Sequence, residues 1–286
     1  MNNEAKLKVV LFALTGCGNA VLDALLGDAR VKVEAVFTVK YDDPFPYYAE
    51  RQLIEVCAER GIVCHHGIKV GSDDGLALLR SYAPDLILMA TFKQIIKGNV
   101  IGLPRLGMIN FHPSLLPKYR GPCPTNAVLL NDEKVTGVTV HYVTEQVDEG
   151  NILLQRSTPI EESDNDGRLR KKLAGLSAEM VPEVIGLFAG YTHPTGIAQD
   201  HALATSAPKP AVENGYLERV ADVNTIRNRI RAFNPLPGTS CLIGGRRIAV
   251  DNFELIQSDG PDGVYEQGDG INVVLNSQAI RLIRKL

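Results

Sequence analysis

Asn110 and His112 stand two residues apart at the end of an apolar run, and the chain then enters Pro113-Ser114-Leu115-Leu116-Pro117-Lys118-Tyr119-Arg120-Gly121. In a strand, alternation puts that amide and that imidazole on one face, and the proline-braced segment after them presents the face to a cleft. A carboxylate, Asp148, lies in Val143-Thr144-Glu145-Gln146-Val147-Asp148-Glu149-Gly150 and can return to the same place. Acyl transfer to an amine needs donors aimed at a developing oxyanion and a route for the proton that leaves nitrogen. The Asn110 amide offers N–H groups without a charge to desolvate. The His112 imidazole, with an ordinary pKa near neutrality, stabilises negative charge or relays a proton. Asp148 holds the imidazole cationic or orients a shuttling water.

Those groups need elements to position them. Residues 8–14 are a continuous apolar run followed by Thr15-Gly16-Cys17-Gly18 and by helical spacing over 20–26. The pattern then predicts strands at 31–39, 62–65 and 86–90, with helices at 48–60, closed by Gly61, and at 73–82. Further on it predicts a strand at 107–111, a helix at 125–130, and a strand at 137–143 with Val138, Val140 and Tyr142 alternating. A short strand at 152–155 and a helix at 168–188, with Leu169, Leu173, Leu176 and Met180 on one face, complete the unit. Alternating strands and helices imply an α/β fold: a Rossmann-like, mostly parallel sheet with the catalytic site at the strand ends.

The grammar changes after residue 190. Residues 191–212 carry Pro194, Pro208 and Pro210 among small polar residues and read as a linker. A helix at 223–233 stops at Asn234-Pro235-Leu236-Pro237-Gly238, and short strands follow at 240–243, 247–256, 264–265, 271–275 and 279–283. Short strands cut by glycine turns suggest a small, OB-like β-barrel. The expected domains are therefore 1–190, catalytic, and 213–286, barrel-like, joined by 191–212.

Composition narrows the partners. With 286 residues, 45% of them hydrophobic, the chain can bury full cores, and 30 basic against 33 acidic residues give no field to gather nucleic acid or an anionic membrane. Cys17, Cys57, Cys64, Cys123 and Cys241 are scattered and lack CxxC spacing, which argues against a disulfide framework and against a structural zinc site. The apolar stretch 9–14 is too short for a signal peptide or a membrane span, so a cytoplasmic location is expected. Gly16-Cys17-Gly18 lacks the third glycine of a dinucleotide-binding turn. His65, His66, His141, His193 and His201 lack partners of the His112 kind and read as structural or solvent-facing side chains.

The quoted segments resemble the 10-formyltetrahydrofolate-dependent formyltransferases. NFHPSLLPKYRG, from Asn110 to Gly121, is similar to that family's N-x-H-x-S-L-L-P signature, and GVTVHYVTEQVDEGNIL, from Gly137 to Leu153, to the strand and loop that carry its aspartate. IRAFNPLPGTS, residues 230–240, resembles the start of the barrel-like domain of methionyl-tRNA formyltransferases and of some nucleotide-sugar formyltransferases. The resemblance implies that Asn110, His112 and Asp148 are catalytic and that 10-formyltetrahydrofolate is the co-substrate, with no metal. It further implies a folate pocket at Met89, Ala90, Thr91, Phe92 and Ile95 and along 141–147, with His141, Val143 and Val147 contributing mainly backbone. Direct attack by the amine leaves Ser114 a positioning role, since no nucleophile elbow surrounds it. Lys118, Tyr119, Arg120 and Tyr41 are the remaining substrate-binding candidates.

The acceptor is read from charge. A tRNA substrate calls for a basic surface, yet the loop Lys40-Tyr41-Asp42-Asp43-Pro44-Phe45-Pro46-Tyr47-Tyr48 is aromatic and acidic. From Ser206 to Leu286 the basic residues number ten against nine acidic. A small amine is therefore the expected acceptor, for which the resemblance makes a nucleotide-linked amino sugar the leading precedent, with Tyr41, Phe45, Tyr47 or Tyr48 placed to stack on it. Methionyl-tRNA is the alternative, followed by deformylase activity and by a ligand-binding protein without chemistry. A homodimer is left open.

Overall fold

The computed structural model describes residues 6–41, 51–220, 222–257, 261–267, 270–276 and 278–284. Two compact units emerge from its Cα packing. The first comprises residues 1–121, 136–159 and 170–206, and the second residues 122–135, 160–169 and 207–286. Neither is contiguous in sequence.

The first unit is built on β1 (Leu7–Ala13), β2 (Val31–Thr38), β3 (Cys64–His66), β4 (Leu86–Ala90), β5 (Met108–His112), β6 (Val135–Tyr142) and β7 (Ile152–Pro159). Helices α1 (Cys17–Gly27), α2 (Leu53–Arg60), α3 (Asp73–Tyr82) and α4 (Gly98–Ile101) connect the early strands. The sheet order is β3-β2-β1-β4-β5-β6-β7. Pairing is parallel from β3 through β5 and turns antiparallel between β5 and β6. The sheet is thus Rossmann-like and mostly parallel.

Strands covered on both faces read as unbroken apolar runs, and β1 and β4 do so because Val9, Val10, Leu11, Phe12, Leu86, Ile87 and Leu88 are all buried. Val10, Phe12, Phe37, Leu79, Ile87 and Met108 belong to one core cluster. Within it Phe12 and Phe37 meet edge to face at 5.3 Å, a preferred aromatic arrangement. Each large side chain so buried contributes about 1.5–3 kcal/mol.

Two boundaries differ from expectation for local reasons. The helix expected from residue 48 begins at Leu53, whose N–H is taken by Thr15 Oγ1 at 3.0 Å, while Gln52 stays extended; residues 48–50 lie outside the described residues. Strand β7 runs on to Pro159, beyond the expected 152–155, with the in-and-out exposure of a strand at the rim of the sheet.

The second unit holds α5 (Pro124–Leu130), α7 (Val223–Phe233) and the strands β8 (Thr239–Ile243), β9 (Arg246–Ile256), β10 (Gly263–Gln267), β11 (Gly270–Leu275) and β12 (Gln278–Arg284). The long helix α6 (Asp166–Leu187) has its first residues here and the rest in the first unit. The strands pair antiparallel in the order β10-β11-β12-β9-β8, a curled, barrel-like sheet. Its core joins Ile226 and Ile230 of α7 to Cys241, Val250, Ile271 and Ile280. Asp222 caps α7 by accepting the Thr225 N–H at 2.8 Å, which satisfies one of the orphan donors of a first turn.

Helix α5 was expected with the sheet domain but packs with α7: Asn126 Nδ2 donates to the Ala232 carbonyl at 2.6 Å. Buried Arg231 completes this unit, donating from Nε to the Asp164 carbonyl and from a terminal nitrogen to the Glu161 carbonyl, each at 2.8 Å. Among the described residues, no helix is long and apolar enough to cross a membrane.

Candidate active site

Strand β5 carries Asn110 and His112 to its C-terminal end, where they are 5% and 3% exposed. His112 Nε2 lies 2.9 Å from the Tyr119 carbonyl oxygen. A carbonyl only accepts, so Nε2 carries a proton, a tautomer assigned from the partner. That leaves Nδ1 facing Asp148 Oδ2 at 3.6 Å.

Burial pushes the His112 pKa below its ordinary value, opposed by the Asp148 charge and reinforced by nearby His141. For Asp148 burial acts upward, but His141, the His112 charge and the Gly121 N–H outweigh it and hold the carboxyl down at about 2. The Gly121 N–H reaches Asp148 Oδ2 at 2.8 Å. At neutral pH the arrangement is therefore a carboxylate beside a neutral imidazole whose Nδ1 lone pair can take a proton.

A fourth group joins these three. In the β5–β6 register His141 sits opposite Asn110, and Thr139 opposite His112. His141 Nδ1 lies 2.8 Å from the Tyr142 carbonyl and Nε2 lies 3.2 Å from Asn110 Nδ2. The first contact fixes the proton on Nδ1, so Nε2 accepts from Asn110 and orients its amide, leaving a second Nδ2–H for another acceptor. Nε2 also stands 3.6 Å from Asp148 Oδ1. Sequence reading credited His141 with backbone alone. The missed signal was the strand alternation itself, which sets His141 and Thr139 on the face opposite Val138, Val140 and Tyr142.

The backbone around the site is strained. Thr91, Tyr119 and Asp148 have φ of 57°, 62° and 56°, the left-handed region that costs a non-glycine residue about 1–3 kcal/mol unless the surroundings impose it. For Tyr119 and Asp148 the surroundings are residues 193–206, expected as linker but packed on this unit. Thr205 Oγ1 accepts the Tyr119 N–H at 2.9 Å, and the Thr205 carbonyl accepts the Arg120 N–H at 2.9 Å. Gln199 Nε2 donates to the carbonyls of Asp148 and Gly150, each at 2.8 Å. Ile197 and Ile152 exchange backbone hydrogen bonds at 2.8 Å. Gly150 packs so closely that a Cβ there would run into the Tyr142 carbonyl.

The other sequence candidates fall unevenly. Ser114 is fully buried, donates its hydroxyl to the Lys118 carbonyl at 2.7 Å and closes its own loop. Tyr119 contributes its carbonyl to His112, and the Lys118 side chain is exposed. Arg120 is engaged by Glu149 Oε1 at 3.1 Å and by Gln199 Oε1 at 2.7 and 3.2 Å. Tyr41 lies under Lys93 Nζ, 4.8 Å from its ring centre, and exchanges backbone bonds with the Gln52 side chain; neither contact involves the catalytic candidates. Phe45, Tyr47 and Tyr48 lie outside the described residues.

Of the expected folate pocket, Met89, Phe92 and Val143 pack against the sheet core. Ala90 is buried and accepts the Thr91 hydroxyl at 2.5 Å. Ile95 and Val147, by contrast, are 78% and 57% exposed. The Val143 N–H is already given to the Met108 carbonyl at 2.8 Å. A separate open cleft of about 550 Å³, lined by Tyr142, Thr144, Glu149, Asn151, His193 and His201 among others, includes none of Asn110, His112 and Asp148.

Comparison with known proteins gives this geometry a context. The sequence profile described as formyl transferase matches residues 7–185. A protein of Syntrophus aciditrophicus named methionyl-tRNA formyltransferase is 39% identical over 193 residues, covering 68% of this chain but only 62% of the relative, less than two thirds of its length. The structure of an N-formyltransferase from Helicobacter canadensis, in complex with folinic acid and dTDP-3-aminofucose, superposes with a TM-score of 0.74 at 17% identity over 98% of this chain and 100% of that one. Glycinamide ribonucleotide transformylase 1 from Symbiobacterium toebii gives a TM-score of 0.56 at 26% identity, covering 68% of this chain and 94% of its own.

Proposed function

Because the chain belongs to the formyl transferase family, we propose that it transfers a formyl group from 10-formyltetrahydrofolate to the primary amine of a small acceptor, a nucleotide-linked amino sugar or a similar molecule. The observation that carries the reading is the convergence of Asn110, His112 and Asp148 at the end of β5, with the His112 Nδ1 lone pair turned to the carboxylate. Residues 1–121, 136–159 and 170–206 are read as the catalytic unit, and residues 122–135, 160–169 and 207–286 as its barrel-like companion.

The co-substrate supplies an activated formyl group. Apolar Met89, Phe92 and Val143 together with exposed Ile95 and Val147 suit a flat fused ring. Asn110 donates its second Nδ2–H to the formyl oxygen, where negative charge develops during attack. His112 accepts the proton of the attacking amine at Nδ1 and returns it to the departing nitrogen. Asp148, ionised throughout, stabilises the imidazolium that forms between these two transfers.

Charge supports the small acceptor. Ten basic against nine acidic residues from Ser206 onward make a weak partner for a polyphosphate, and the whole chain is at net charge -3. The Syntrophus relative's name favours methionyl-tRNA instead, so the two readings are set against each other directly. Purified protein with 10-formyltetrahydrofolate should formylate nucleotide-linked amino sugars with little dependence on salt. A tRNA acceptor held by many phosphate contacts would lose affinity by about 10³–10⁵-fold between low and moderate salt. Efficient formylation of methionyl-tRNA at physiological salt would overturn the small-acceptor reading and leave the chemistry standing. The reading includes a cytoplasmic location, supported by five cysteines that are all free thiols.

A further inference from the structure

We propose that Gln199 is a positioning residue of the reaction: its side-chain amide fixes the backbone that carries Asp148 and ties that backbone to the Arg120 guanidinium. The proposal rests on the reading of Asp148 as the group that stabilises the His112 imidazolium.

Gln199 uses its whole hydrogen-bonding capacity. Its Nε2 has two N–H groups, and both are spent on carbonyls, those of Asp148 and Gly150, each at 2.8 Å. Its Oε1 has two lone pairs, and Arg120 fills both, from a terminal nitrogen at 2.7 Å and from Nε at 3.2 Å. Among side chains of this length only glutamine can serve both sides, because glutamate lacks the two donors and lysine or arginine lacks the acceptor. The amide is buried, so losing it would strand two carbonyls and part of a guanidinium away from water.

What Gln199 holds is the stretch of the loop that carries the Asp148 carboxylate. Asp148 sits at φ 56°, in the left-handed region that residues other than glycine seldom occupy, while Gly150 is pressed against the Tyr142 carbonyl. Two bonds from a single amide to residues 148 and 150 span the strained peptide. Arg120 closes the ring from the other side: it bonds Gln199 and also Glu149 Oε1 at 3.1 Å, the residue between the two carbonyls. Arg120 in turn follows Tyr119, whose carbonyl sets the His112 tautomer. Gln199 therefore links the loop that orients the imidazole with the loop that presents the carboxylate. Displacements on the order of 1 Å at such a place can cost about 100-fold in rate.

The test uses the full-length protein with Gln199→Met, which fills the space without polar atoms, and Gln199→Glu, which keeps the acceptor and loses the donors. Turnover is counted per folate-binding site, so loss of folded enzyme does not register. Expected is a fall in kcat of about 10–100-fold in both variants with KM for the folate within about threefold of wild type. Asp148→Ala should then cost much less in the Gln199→Met background than in wild type, because the carboxylate is already misplaced. A kcat within about twofold of wild type in both variants, or an Asp148→Ala loss of equal size in the two backgrounds, overturns the positioning role. An Asp148→Ala enzyme with wild-type turnover overturns the underlying reading instead, and this proposal with it.

Discussion

Two buried polar clusters can be compared in this chain, one around His112 and one around Arg231. Both bury charge, and both lean on backbone carbonyls. The Arg231 guanidinium is closed by the carbonyls of Asp164 and Glu161 and faces Asp132 at 3.7 Å, while neighbouring Arg227 reaches the same carboxylate at 2.8 Å. The Arg231 donors there meet backbone carbonyls, which never change state. Around His112 the backbone takes up only one end of each group: Tyr119 fixes Nε2, Tyr142 fixes His141 Nδ1, and Gly121 fixes one carboxylate oxygen. The other ends face one another across 3.2–3.6 Å. Spare valence, rather than buried polarity as such, separates the cluster proposed to react from the one that holds.

The comparison breaks most sharply under substitution. Asn110→Ala and His112→Ala should each lower kcat about 100 to 1000-fold with folate affinity nearly kept, and Asp148→Ala should do the same while also losing at most about 2 kcal/mol of stability. Near wild-type turnover in any two would remove the distinction. Arg231→Ala should do the reverse. It strands two buried carbonyls at about 1–3 kcal/mol each, visible in chemical denaturation, while kcat per folate-binding site stays within about twofold. A selective loss of kcat would place Arg231 in the chemistry.

A smaller effect sharpens the same contrast through pH. The folded His112 pKa lies below 6.5, so the unfolded chain binds the proton more readily. Stability should fall as pH drops below 6.5, until the folded imidazole also protonates. Asp148 sits at about 2 against an ordinary 3.8; its contribution is whole above 3.8 and is lost as pH falls from there toward about 2, for at most about 2 kcal/mol. Denaturation midpoints across pH should therefore show two steps in wild type and in Arg231→Ala. Asp28, Asp132 and Asp222 also hold lowered carboxyls, so the lower step should shrink in Asp148→Ala without vanishing, and a step of undiminished size there would detach this carboxylate from it. Turnover should show an acid limb as Nδ1 becomes occupied.

How much of this was legible depended on how local the signal was. The mostly parallel sheet followed from apolar runs alternating with helical spacing, and the pair Asn110 and His112 from two positions on one strand face. His141 was equally local, since the Val138, Val140 and Tyr142 alternation fixed its face, but a lone histidine gives no hint of the residue opposite it until the register is known. The partner of Ser114 was not legible, because the Lys118 carbonyl that takes its hydroxyl comes within reach only once the loop has closed. Gln199 was hidden by its surroundings, for proline-rich chain between elements has the composition of a spacer whether or not it packs. Helix α5 was assigned by its neighbours in sequence, whereas its partner is the distant α7.

The antiparallel turn from β5 to β6 has a consequence for how this site can change. Asn110 faces His141 and His112 faces Thr139 across a ladder, so the polar row is counted in pairs of residues. Deleting one residue from β5 between Met108 and His112 would not slide the row along; it would turn it over, exchanging polar groups for the apolar side chains that now fill the other face. A second deletion in β5 restores the face but moves the row two positions against β6. The loops can lengthen and shorten over evolutionary time, but these two strands can vary only by substitution.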